Sequence, residues 1–196
     1  MENAWNLKTI IDTFEELKKY VYIIDRGALG QIVVEFKDEN FFHLLGLHKM
    51  NLDVYFPAQL KSKSKKYKYI KSKVDKFDSI LSDQIKEKNL LQYRISTFKN
   101  ISNLLDGHNV SFFEFREKVP GSQFNGDYGI LKIYEDVNCL LGLKKDSSVN
   151  EITKAIPNSW MASNRSNKLI EFKRPSYIKS ICAIPKNIYN EEFLTL

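Results

Sequence analysis

The sequence predicts an α+β fold in which N-terminal helices pack on one face of a largely antiparallel sheet. Apolar residues recur at helical spacing through most of the stretch from Leu7 to Leu105, whereas short β-branched and aromatic runs dominate beyond Gly107. Gly, Pro and Asn clusters punctuate those later runs, and helices followed by strands are the pattern of an α+β domain. The 196 residues, 43% hydrophobic with 8 Gly and 5 Pro, suffice for a single α+β domain spanning residues 1–196. They exclude a disulfide-stapled miniprotein, a collagen-like chain and a disordered tail, and no repeat with a period of roughly 20 to 50 residues is present.

Leu7, Ile10, Ile11, Phe14, Leu17 and Val21 form a stripe that predicts an amphipathic helix buried on one side. Val21 to Asp25 and Gln31 to Phe36, separated by a segment containing Gly27 and Gly30, predict a β-hairpin. Asp38 and Asn40 are candidate caps for a short, buried helix through Phe41, Phe42, His43, Leu44, Leu45 and Leu47, which Gly46 weakens or ends. Ile70, Val74, Phe77, Leu81 and Ile85 predict one further helix; Leu91, Ile95, Phe98, Ile101 and Leu105 predict another, with Gly107 as its C′ residue. Strands are predicted at Val110 to Arg116, Tyr128 to Tyr134, Cys139 to Leu143, Lys168 to Lys173 and Tyr177 to Ile184.

The net charge of +6 is concentrated in one element. Residues 61–76 carry eight lysines against Asp75, a local charge of +7, which leaves 22 basic and 23 acidic residues elsewhere. Such a window reads either as a solvated loop and helix face or as a surface for a polyanion, whose phosphates give salt-dependent, sequence-blind affinity. Cys139 and Cys182 lie in apolar, strand-like contexts, which predicts two reduced, packed thiols in a cytoplasmic protein. No apolar run reaches the ~18 residues of a membrane span, so no membrane partner is expected.

Two of the three histidines fall in the phrase Asn40-Phe41-Phe42-His43-Leu44-Leu45-Gly46-Leu47-His48-Lys49. On a continuous helix their spacing separates them by ~140°, so they do not share a face as a metalloprotease pair does. With no Cys pair at ligand spacing and no carboxylate cluster, neither a metal nor a cofactor is expected. A Gly-rich phosphate loop and a Ser nucleophile elbow are both absent, which excludes nucleotide hydrolases and serine esterases of the usual kinds. Taken alone, His43 reads as a core or boundary histidine. An imidazole also exchanges protons near neutrality, and metal-free RNA cleavage requires a base for the 2′-hydroxyl, an acid for the departing 5′-oxygen and a cation for the phosphorane. His43 or His48 are candidates for the proton transfers, and Lys49, Arg165, Lys173 or Arg174 for the cation.

The hairpin, the segment Phe36-Lys37-Asp38-Glu39 leading into Asn40 to Leu47, the Phe77-Asp78-Ser79-Ile80-Leu81 helix and the Arg94-Ile95-Ser96-Thr97-Phe98 helix together resemble a family. It is the fourth phage family of the barnase, EndoU, colicin E5/D and RelE-like (BECR-fold) nuclease grouping, and the likeness runs over roughly residues 14 to 184. The resemblance implies a BECR-like core and a metal-independent ribonuclease of toxin or conflict type from a phage or mobile element. It places His43 on the helix that bears an active-site residue, facing a sheet that supplies the other groups. Lys132 and Tyr134 on a central strand, and Ser159 before Trp160, are candidates by position.

On this reading Lys61, Lys63, Lys65, Lys66, Lys68, Lys71 and Lys73 hold the phosphate backbone of RNA or another polyanion, while Tyr67, Tyr69 and Trp160 are candidates to stack on bases or simply to pack lysine stems. The alternative is a catalytically inert mobile-element protein that binds a host macromolecule, as an inhibitor of a defence nuclease or a nucleic-acid-binding regulator. A host or cognate immunity protein is a further expected partner. His43 discriminates: catalysis needs it open to substrate, whereas an inert binder permits its burial.

Overall fold

The computed structural model describes residues 6–85, 89–115, 126–134, 137–163 and 175–189, with a layer of helices on one face of a seven-stranded sheet. Helix α1 (Leu7–Leu17) begins at Asn6, whose side chain accepts from the Thr9 backbone N–H at 3.1 Å, and it buries the predicted stripe from Leu7 to Leu17, whereas Val21 falls on the strand that follows. Strands β1 (Tyr20–Asp25) and β2 (Gln31–Glu35) form the predicted antiparallel hairpin, with Val21 opposite Glu35 and Asp25 opposite Gln31. The helices α2 (Asn40–Leu45), α3 (Lys63–Ser72), α4 (Val74–Ile85), α5 (Asn89–Ser96) and α6 (Ile101–Leu105) follow. Strands β3 (Ser111–Glu114), β4 (Tyr128–Tyr134), β5 (Val137–Val149), β6 (Ile152–Ser163) and β7 (Ser180–Pro185) complete the α+β fold. The sheet order is β3-β4-β5-β6-β2-β1-β7, antiparallel throughout except for the parallel β2–β6 pair.

Strand alternation divides the apolar residues between the two faces. Tyr22, Ile24, Ile32, Val34, Ile130, Leu141 and Trp160 join the core beneath the helices, whereas Val21, Ile23 and Val33, and separately Phe113, Leu131 and Leu140, cluster on the other face. An aromatic knot ties the first helices together: Phe14 and Phe41 lie 5.2 Å apart between ring centroids, and Phe41 and Tyr67 4.7 Å apart. This knot fixes α2 against α1 and α3.

Several elements differ from the sequence expectation. The Ile70 to Ile85 stripe is two helices, broken at Lys73 with φ −136° and ψ 44°, and the Leu91 to Leu105 stripe is interrupted by a 3₁₀ turn over Phe98–Asn100. Asp38 does not cap α2, because its carboxylate accepts from Lys18 at 2.6 Å and from Ser64 at 3.1 Å. Asn40 instead closes the preceding turn, its Oδ1 accepting from Lys37 N–H at 2.7 Å. Strand β5 runs to Val149, well past Leu143, and β6 extends from Ile152. Pro157 is tolerated inside β6 because pairing with β2 ends at Ala155 and a register shift in the β5 pairing falls beside it. Cys139 is buried, but Cys182 is exposed on β7 rather than packed; both are free thiols. The strand expected at Lys168 to Lys173 lies outside the described residues. No helix among the described residues is long and apolar enough to cross a membrane.

Candidate active site

The expectation that His43 and His48 point apart fails because α2 stops between them. Gly46 takes a left-handed conformation, φ 73° and ψ 13°, and the chain turns at once into a 3₁₀ turn over Leu47–Lys49. That reversal brings the two imidazoles together, with ring centroids 4.7 Å apart and planes inclined at 45°. Buried Phe41, Leu44 and Leu45 anchor α2 in the core, while His43 stays half-buried and His48 is exposed.

Hydrogen bonds set the state of each ring. Lys63, the first residue of α3, donates to His43 Nε2. An ammonium only donates, so Nε2 carries the lone pair and the ring proton sits on Nδ1. His48 Nδ1 donates to the Phe42 carbonyl at 3.3 Å, which likewise leaves its Nε2 as the basic atom. Burial lowers the pKa of His43 below its ordinary value, and the charges of Lys63 and His48 act in the same direction. Burial also lowers that of His48; the bond to Phe42 opposes the shift, but Lys49, Arg94 and Lys63 reinforce it. Both rings are therefore neutral at neutrality.

A fourth residue, Arg94 of α5, closes on the same turn: a Cβ placed on Gly46 would lie 2.4 Å from its Nη1. Arg94 is half-buried, burial lowers its pKa, and no carboxylate pairs with it among the described residues. Lys49 lies on the 3₁₀ turn itself, whereas the other cations singled out by sequence, Arg165, Lys173 and Arg174, lie outside the described residues. Nothing local in the sequence pointed to Arg94, since its place in the site comes from packing α5 against α2.

Two neutral imidazoles thus meet at one turn of the α+β scaffold, with His43 Nε2 accepting from Lys63 and His48 Nε2 left as a basic nitrogen. The family model described as phage-Barnase-EndoU-ColicinE5/D-RelE like nuclease4 (PBECR4) matches residues 6–192. The chain belongs to this family. Comparison with curated proteins and with solved structures gives no match.

The remaining candidate residues of this PBECR4 chain lie elsewhere. On β4, Lys132 Nζ donates to the Asn103 carbonyl at 2.8 Å and reaches Asp106 at 3.5 Å, and the Tyr134 hydroxyl donates to the Asn100 carbonyl at 3.0 Å. Both side chains thus hold the end of α6 and the turn before it, with the Lys132 ammonium 5.5 Å from the Tyr134 ring centroid. Ser159 sits on β6 opposite Gly142, its buried Oγ without a hydrogen-bond partner among the described residues. The fold therefore brings His43 to His48 and Lys132 to Tyr134, and no contact joins the two pairs or either pair to Ser159 among the described residues.

The lysines of 61–73 divide by their partners. Lys66 pairs with Asp53 at 2.6 Å, Lys71 with Glu15 at 3.1 Å and Lys68 with Asp38 at 3.9 Å, whereas no acid pairs with exposed Lys61, Lys65 or Lys73 among the described residues. Tyr67 and Trp160 are not available for base stacking. Tyr67 is 1% exposed and donates to the Glu15 carboxylate, and Trp160 is fully buried with Nε1 donating to Thr97 Oγ1 at 3.1 Å. Tyr69 is half-buried, edge-on to Phe77 at 6.0 Å. A separate cleft of about 130 Å³ beside the start of α2 is lined by Glu35, Glu39 and Asp146 as well as Lys37 and Lys154, a balance of charge that does not favour phosphate.

Proposed function

We propose that this PBECR4 protein is a metal-independent ribonuclease of toxin or conflict type, of phage or mobile-element origin, which cleaves RNA by general acid–base catalysis at His43 and His48. The observation that carries this reading is the pair of neutral imidazoles brought together, tilted at 45° to each other, in a partly open turn with Lys63 on one of them. His48 Nε2, exposed and basic, takes the proton of the ribose 2′-hydroxyl. The 2′-oxygen then bonds to phosphorus as the bond from phosphorus to the 5′-oxygen breaks, and the departing 5′-oxygen takes a proton from His43 Nε2, which the Lys63 ammonium bonded to it has supplied. The products are a 2′,3′-cyclic phosphate and a 5′-hydroxyl, and the site is reset when His48 gives the proton it gained to water and Lys63 regains from water the proton it lost. Until that proton leaves, the positive charge of the Lys63–His43 pair stabilises the phosphorane as it becomes more negative. The lysine face of α3, continuous in sequence with Lys63, holds the RNA backbone through Lys61, Lys65, Lys68 and Lys73, with Lys66 and Lys71 nearer their acidic partners.

The test incubates wild type, His43→Ala and His48→Ala with total cellular RNA in EDTA and sequences the 5′-hydroxyl ends. Discrete cleavage by wild type and its loss in both variants, with circular dichroism unchanged, is the expected result. If wild type leaves RNA uncut yet retains a host macromolecule on pull-down, the inert-binder reading replaces this one.

A further inference from the structure

We infer that Arg94 is a substrate-binding residue of this site, its guanidinium fork accommodating two oxygens of the scissile phosphate beside the His43–His48 pair. The inference rests on reading the pair as a phosphodiester-cleaving centre. Three observations converge on it. A half-buried cation without a counter-charge is costly to a fold, and the other described arginine within the folded core avoids that cost: Arg26 pairs with Glu114 at 2.7 Å and also donates to the Leu29 carbonyl. Arg94 has no carboxylate among the described residues. Gly46 supplies the space, because any side chain there would meet Arg94 Nη1 at 2.4 Å and Leu91 Cδ1 at 3.2 Å.

The third observation is the sign of the charges that act on the two rings among the described residues. His43 faces the turn at Gly46 from α2, His48 and Lys49 from the 3₁₀ turn, Lys63 from α3 and Arg94 from α5; the charges that act on the two rings are all cationic. Such a site has no use for a cation and fits a tetrahedral oxyanion. The planar fork of arginine binds two oxygens of a phosphate at once, which a lysine cannot do, so Lys63 and Arg94 make different contributions.

The test follows the imidazole Hε1 resonances of the full chain by NMR as inorganic phosphate is added to wild type, Arg94→Gln and Arg94→Lys, with His108 as an internal reference. In wild type, phosphate is expected to shift His43 and His48 but not His108. Arg94→Gln is expected to weaken phosphate binding by roughly 10- to 100-fold, the effect of losing a charge-assisted pair of hydrogen bonds, and Arg94→Lys by less because the charge remains. Phosphate affinity unchanged in Arg94→Gln, or no shift of His43 and His48 in wild type, overturns the inference. Should Arg94→Gln fail to fold, Arg94→Lys decides: unchanged affinity there overturns it and a measurable loss supports it. RNA cleavage separates the two claims. Arg94-dependent phosphate binding in a protein that cuts no RNA retains the anion site and removes the ribonuclease reading, whereas cleavage and phosphate binding that both ignore Arg94 remove only the role of Arg94.

Discussion

Replacing Gly46 with alanine tests the turn on which the whole site depends. At φ 73° an L-residue with a Cβ is strained, which costs about 1–2 kcal/mol. The added methyl would also lie 2.4 Å from Arg94 Nη1 and 3.2 Å from Leu91 Cδ1. The nearer atom is the end of a flexible side chain, so the guanidinium gives way before the backbone does, and the packing penalty falls at the lower end of the range for overpacking, about 1 kcal/mol. Gly46→Ala is therefore expected to cost about 2–3 kcal/mol in urea denaturation. The two contributions separate in a double-mutant cycle with Arg94→Ala, because removing the guanidinium leaves chiefly the backbone strain, about 1–2 kcal/mol. A cost below about 0.5 kcal/mol, or the same cost in both backgrounds, refutes the close approach of Arg94 to the turn.

Two further outcomes follow from the charges of α1 and α3. Replacing Lys61, Lys65 and Lys73, which have no acid partner among the described residues, with alanine should reduce the slope of log affinity against log salt by about 2 for single-stranded RNA, measured by fluorescence anisotropy; an unchanged slope removes these lysines from the interface. Burial raises the Glu15 carboxyl, but hydrogen bonds from Lys18, Tyr67 and Lys71 outweigh it and hold the group at about 2, below its ordinary 4.5. Because the folded pKa is the lower one, the stabilisation is complete above about pH 4.5 and is lost as pH falls toward 2, so Glu15→Gln should flatten the acid limb of the urea midpoint plotted against pH.

The elements that depend on neighbours in sequence were legible, and those that depend on distant contacts were not. The α1 stripe and the β1–β2 hairpin follow from period and turn residues within each segment. The break at Lys73 did not, because Ile70, Phe77, Leu81 and Ile85 keep a helical period across two helices, and only their packing in the core decides where the backbone turns. Strand β6 was obscured by Pro157, whose tolerance depends on where pairing with β2 stops. The histidine pair illustrates the same limit. Gly46 was legible as the end of a helix, but the direction in which the chain leaves it, and with it the meeting of His43 and His48, depends on the left-handed conformation rather than on residue spacing. Arg94 required knowing that α5 packs beside α2, for which no local pattern exists.

Among the lysines, helical phase distinguishes Lys63 from its neighbours. Lys63, Tyr67 and Ile70 stand at positions i, i+4 and i+7 of α3, and residues so spaced share one face of a helix. Tyr67 and Ile70 are buried, and Lys63, exposed at the first turn on the same side of the helix, extends its ammonium to His43 on α2. Lys65 and Lys68, exposed like Lys63, fall out of phase with that face and do not reach His43. The aromatic contacts of Tyr67 with Phe14 and Phe41 then fix the rotation of α3 relative to α2, which fixes in turn where the Lys63 ammonium meets the imidazole. A run that looks uniform in composition is thus partitioned by helical phase, with one exposed lysine reaching the histidine pair and others directed away from it on the same short helix.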